Sequence, residues 1–94
     1  TVLLKSANDE ISDGRRTRIN RTGTPAMTGA GTGDVLAGAV GGLQAKGMTP
    51  FDSACLAAYI CGKAGEYAFT DKSYGLIATD IVEEIPHVLR DLLR

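Results

Sequence analysis

The stretch "TGAGTGDVLAG", Thr28 to Gly38, alternates Gly29, Gly31 and Gly33 with small residues, follows them with Asp34, and then turns apolar. Glycine costs backbone entropy on folding, so this run before a helical pattern needs a physical purpose. Glycines let the chain fold tightly and aim several N–H groups at one point. A helix start adds unpaired N–H donors and the positive end of its dipole. Together they form an anion hole, suited to a phosphate or a developing oxyanion. Gly31, Thr32 and Gly33 are its candidate members, with the Thr32 hydroxyl as an extra donor. Asp34 has two possible tasks. It can cap the helix by accepting N–H bonds. It can instead act as general base, taking a proton from a hydroxyl while the hole holds a phosphoryl group. Spacing alone leaves both open.

Other phosphate motifs are excluded. No Lys-Ser or Lys-Thr follows the last glycine, as a Walker A loop requires. The spacing is Gly-x-Gly-x-Gly, and the preceding segment reads as loop, so a dinucleotide fingerprint does not fit. Lys5 closes the apolar run Val2 to Leu4, where a strand end could bring its charge to a phosphate or leave it solvated. Asn20, Thr22 and Thr24 can serve a ligand or turn chemistry equally well. The Arg15, Arg16 and Arg18 cluster reads as a solvated hairpin tip.

These residues need elements to hold them. Val2–Leu4 reads as a buried strand, and Glu10–Ser12 and Thr17–Asn20 as hairpin arms around Asp13-Gly14, with Ile11 and Ile19 both facing the core. Arg21 to Gly33 is loop by composition. A helix should start at Gly33 or Asp34 and run to Lys46, stopped by Gly47. Thr49 suits the N-cap and Pro50 the first position of a second helix, reaching about Phe69. Its Ala and Gly residues make it thin, so neighbours can approach closely. Thr79 is expected to cap a third helix, with Asp80, Glu83 and Glu84 early and Arg90 and Arg94 late. One apolar stripe includes Ile81, Val82, Val88, Leu89 and Leu92, and Pro86 should kink the helix or restart it near Ile85.

Composition bounds the functions. The 94 residues, 44% hydrophobic and 22% charged, describe one small globular domain. A net charge of −1 gives no footprint for nucleic acid or an anionic membrane, and neither is expected as a partner. No apolar run approaches the roughly 20 residues of a membrane-spanning helix, and no leader pattern is evident. Cys55 and Cys61 read as buried thiols of a reducing compartment, and His87 builds no zinc site with them.

Three blocks carry a resemblance: "VLLKSANDEISDG", "NRTGTPAMTGAGTGDVLAG" and "LQAKGMTPFDSACLAAYICGKAGEYA". They resemble the C-terminal part of the ADP/ATP-dependent NAD(P)H-hydrate dehydratases of the ribokinase-like superfamily. The likeness extends through "ATDIVEEIPHVL". Ser6 stands where that family usually has Gly, Thr24 where it has Asn, and Ala26 and Ala30 where it has Gly.

The resemblance implies an α/β fold: the C-terminal part of a ribokinase-like three-layer α/β/α domain, short strands and a hairpin followed by three helices, filling residues 1–94. It implies a repair enzyme that returns the 6-hydroxylated hydrate to NADH or NADPH. The hydroxyl is activated by phosphoryl transfer and then eliminated. Asp34 would be the catalytic, substrate-contacting acid. Lys5, Ser6, Ala7, Asn8 and Asp9 would contact the adenylate, and Gly31, Thr32 and Gly33 would bind the nucleotide at the anion hole. The cofactors implied are ADP or ATP, with the "GTGD" form leaning to ADP, and Mg²⁺ carried by the nucleotide. The expected protein is cytoplasmic and, when complete, a homo-oligomer. This chain would be a fragment needing an N-terminal part, inactive alone. The alternatives are another ribokinase-like kinase of a small-molecule hydroxyl, or a non-catalytic nucleotide-binding module.

Overall fold

The computed structural model describes residues 1–93. Arg94, expected in the last helical turn, lies outside them. Three short strands open the chain: β1 Val2–Leu4, β2 Asp9–Ser12 and β3 Thr17–Asn20. They form an antiparallel sheet in the order β1-β2-β3. The Asp13-Gly14 turn joins β2 to β3, with Gly14 at φ +91°. Asp13 accepts the N–H groups of Arg15 and Arg16 at 2.9 and 2.8 Å, and its other oxygen meets the Arg16 guanidinium at 3.0 Å. Those bonds, the two backbone N–H groups first, hold its carboxyl down to about 2.

Register decides which residues face inward. Leu3 lies opposite Ile11, and Ile11 opposite Arg18, so this face turns to the helices. Ile11 is buried there. Ile19 pairs with Glu10 instead, which puts it on the other face, 46% exposed. The expectation that both isoleucines meet the core is corrected for Ile19, because adjacent strand residues point to opposite sides. The strand expected at Val2–Leu4 is present but not buried. Val2 and Leu4 share the outward face, 67% and 60% exposed.

Helix α1 spans Thr32–Ala45, one residue earlier than expected, with Gly47 at φ +96° ending it. Helix α2 spans Pro50–Lys72, a turn longer than expected, and Thr49 caps it by accepting the Asp52 N–H at 3.2 Å. Helix α3 spans Ala78–Leu92. Ile77, not Thr79, is its N-cap, and Asp80 reaches back to accept the Ile77 N–H at 2.7 Å. The helix continues through Pro86 rather than restarting. Pro86 is exposed, so the Val82 carbonyl it leaves unpaired can face water.

Helix α2 is the centre of the fold. Its small residues Ala57 and Ala64 are fully buried, with α1, α3 and the sheet packed around them. One cluster joins Ile11, Leu36 and Phe51 to the first half of α2, and another joins Leu76, Ile81 and Val88 to its second half. Arg16 lies over the Phe51 ring, 4.1 Å from its centre. Arg15, Arg16 and Arg18 nevertheless all stay exposed, as expected of a solvated hairpin tip.

Candidate functional site

The glycine loop reaches α1 through Gly31, which occupies the N-cap at φ +89°. A side chain is strained there, and an added Cβ would also meet the Ala78 Cβ at 3.2 Å. The Gly31 carbonyl accepts the N–H groups of Asp34 and Val35, both at 3.1 Å. Among the described residues, the N–H groups of Ala30, Gly31 and Gly33 have no recorded acceptor. They are the donors an anion would find. Thr32 is buried, and its hydroxyl donates to the Gly29 carbonyl at 3.1 Å. The expected extra donor is therefore already committed within the loop.

Asp34 is exposed, and its carboxylate accepts no recorded hydrogen bond among the described residues. No side chain caps α1. The helix-cap task is unfilled by Asp34, whose place in the first turn still lets it gain from the dipole.

Beside this helix start lies a cleft of about 540 Å³. That volume suits a small molecule or nucleotide moiety. One wall is the turn from β1 to β2, supplying Lys5, Ser6, Ala7 and Asp9. A second is the loop from Thr22 to Thr28, and the third comes from Thr32 and Leu36 of α1 with Ala58, Cys61 and Gly62 of α2. The candidates Lys5, Ser6, Ala7, Asp9 and Thr32 are thus gathered in one place. Asn8, Gly31, Gly33 and Asp34 do not line the cleft.

The loop wall can lie on α2 because α2 lacks side chains there. A Cβ at Gly62 would fall 2.7 Å from the Thr22 Cβ, and one at Gly65 would overlap the Met27 side chain. Glu66 accepts the Gly23 N–H at 2.9 Å and holds the loop further along α2. Thr24 accepts the Ala26 N–H at 2.9 Å and caps the 3-10 turn Pro25–Thr28. Its hydroxyl is spent on turn geometry. Gly62 and Gly65 make this close approach possible. The only sequence signal was the run of small residues on α2.

Burial, above all, pushes the Cys61 thiol up to about 11, with the nearby Lys5 ammonium pulling the other way. Cys61 is thereby kept a neutral apolar wall of the cleft. No group of three or more His, Cys, Asp or Glu side chains able to hold a metal ion is present among the described residues.

A small antiparallel sheet, three following helices and a glycine-built helix start beside a cleft define an α/β piece of a kinase-like domain. The chain belongs to the NAD(P)H-hydrate dehydratase family, whose pattern matches residues 1–87. The bifunctional NAD(P)H-hydrate repair enzyme Nnr of Methanospirillum hungatei is 52% identical over 89 residues, covering 95% of this chain and 18% of that protein. The ADP-dependent (S)-NAD(P)H-hydrate dehydratase of Cenarchaeum symbiosum is 48% identical over 90 residues, covering 96% of this chain and 31% of that protein. The protein of the same name from Haloterrigena turkmenica is 43% identical over 89 residues, covering 95% and 34%. The chain therefore spans between about a fifth and a third of the length of these relatives.

Proposed function

We propose that this chain is the nucleotide- and anion-handling part of an ADP- or ATP-dependent NAD(P)H-hydrate dehydratase, acting within a longer domain. The observation that carries this is a conjunction. Three amides without protein acceptors surround the start of α1, an uncommitted carboxylate stands at Asp34, and a nucleotide-sized cleft lies alongside.

In this proposal the cleft takes the adenylate against Lys5, Ser6, Ala7 and Asp9, with Asn8 at its rim. Lys5 offers its charge to a phosphate. The amides of Gly31 and Gly33 hold the oxygens of the phosphoryl group in transfer. The Asp34 carboxylate takes the proton of the hydrate's hydroxyl, whose oxygen attacks the terminal phosphorus of the nucleotide; the phosphoanhydride bond breaks, and AMP leaves from ADP or ADP from ATP. The ring then loses phosphate from that carbon and a proton from its neighbour, restoring the double bond. ADP is preferred on the names of the single-function relatives. No side-chain cage for Mg²⁺ exists among the described residues, so the ion would arrive on the nucleotide phosphates and shield their charge. The two free thiols fit a reducing, cytoplasmic compartment.

The test is turnover of NADH hydrate and NADPH hydrate with ADP or ATP, followed by the returning dihydronicotinamide absorbance. It is run on the 94-residue chain and on the complete protein that contains it. Turnover by the complete protein is the expected result. No turnover with either nucleotide would overturn the proposal, and a screen of small-molecule hydroxyls would then test the kinase alternative.

A further inference from the structure

We propose that Asn20 is a positioning residue that locks the three walls of the nucleotide cleft together, an inference that rests on the function proposed above. Asn20 ends β3 and is 8% exposed, facing α2 beneath the cleft rather than lining it. Its amide nitrogen donates at 3.2 Å to Asp9 Oδ2 and at 3.2 Å to the Ala58 carbonyl. Two acceptors on one side fix the amide's orientation, with nitrogen toward them and oxygen away. Asn20 Oδ1 then faces Thr22, 3.5 Å from its N–H and 3.1 Å from its hydroxyl. That hydroxyl also lies 3.1 Å from the Tyr59 carbonyl of α2.

Each of those partners belongs to a different wall. Asp9 governs the turn that carries the adenylate candidates, because its other oxygen accepts the Ser6 N–H at 3.1 Å. Thr22 begins the loop wall, and Ala58 lies on the helix wall. One side chain, using both donors and its acceptor, therefore sets the spacing of all three. Aspartate has the same shape but no donors. It would place a carboxylate against Asp9 and a carbonyl, in a site with little water to screen them. Serine keeps a hydroxyl without adding charge, and is too short to span the three partners.

The experiment compares the complete protein with its Asn20→Asp and Asn20→Ser variants. One measurement is amide hydrogen exchange without ligand. The other is the KM for ADP and for ATP beside kcat. The inference expects exchange to accelerate about tenfold or more at residues 6–9 and 22–23, with α3 unchanged. It expects KM for the nucleotide to rise about tenfold while kcat at saturation holds. A general structural role would instead lower the folded fraction and kcat while leaving KM. Unchanged local exchange, or equal acceleration across all elements, overturns the inference. If the wild-type protein turns over no hydrate, the proposed function falls, and the exchange pattern still decides whether Asn20 holds these walls. Should Asn20→Asp fail to fold, Asn20→Ser supplies the same readouts.

Discussion

Cys55 and Cys61 occupy the same helix yet differ in chemistry. Cys61 is buried in the cleft wall and Cys55 only partly, and burial raises both thiols. In the folded protein, alkylation followed by mass spectrometry should reach Cys55 first, and unfolding should equalise the two. A raised thiol stabilises the fold while it stays protonated. Cys61 therefore contributes fully below the ordinary thiol range and less as pH climbs through about 11. Asp13 has the opposite sign. Its depressed carboxyl supports the hairpin at neutral pH, and that support fades as pH falls toward about 2. A pH series of thermal unfolding should show the first loss on the alkaline side and the second on the acid side. Ser53 offers a third case: it is fully buried, and its hydroxyl has no partner among the described residues. Ser53→Ala should stabilise the fold by about 1 kcal/mol in denaturant unfolding, because it removes an unpaired buried polar group. Legibility at this scale was mixed. Gly31 and Asp34 announced themselves by type and spacing. Asn20 stood out only as a ligand or turn residue, because the partners its side chain joins lie 11 and 38 positions away in sequence.

At the scale of elements, what was legible followed from local chemistry. Asp13-Gly14 marked the hairpin, Thr49-Pro50 the start of α2, and Gly47 the end of α1. What was missed depended on tertiary packing. Ile19 has the right type for a core residue and the wrong register. Thr79 has the right type for a cap, but the Asp80 carboxylate takes the Ile77 N–H. Pro86 stays within α3, whose Ile81 and Val88 on either side are held in the core. The close approach of the Thr22 loop to α2 gives the sharpest element-scale prediction. Gly62→Ala should cost about 1–3 kcal/mol in denaturant unfolding, since its methyl would overlap the Thr22 backbone and side chain. Gly65→Ala should cost less, because the Met27 side chain it meets can move to another rotamer.

The whole molecule leaves apolar surface uncovered on two faces. Val2, Leu4 and Ile19 stand on the sheet face turned away from α2, while Val82, Leu89 and Leu92 stand on α3. Exposed apolar groups at this density mark surfaces built to be covered. In the proposed function the remainder of a longer domain closes on them. The 94-residue chain alone is then expected to turn over no hydrate. Adding the complete protein's other segments should restore turnover and reduce binding of a hydrophobic dye. No helix among the described residues is long and apolar enough to cross a membrane.

The central claim is that the Asp34 carboxylate performs chemistry at a helix start whose amides await an anion. The most direct measurement is Asp34→Asn in the complete protein, assayed for hydrate turnover with ADP and for thermal stability. The account predicts that turnover falls by about 10²–10⁴-fold. Stability should fall by no more than the dipole attraction of one exposed carboxylate, about 0.3–1 kcal/mol. Turnover at the wild-type level, with stability lowered by a full cap's worth of about 0.5–2 kcal/mol, would contradict it and make Asp34 a helix cap.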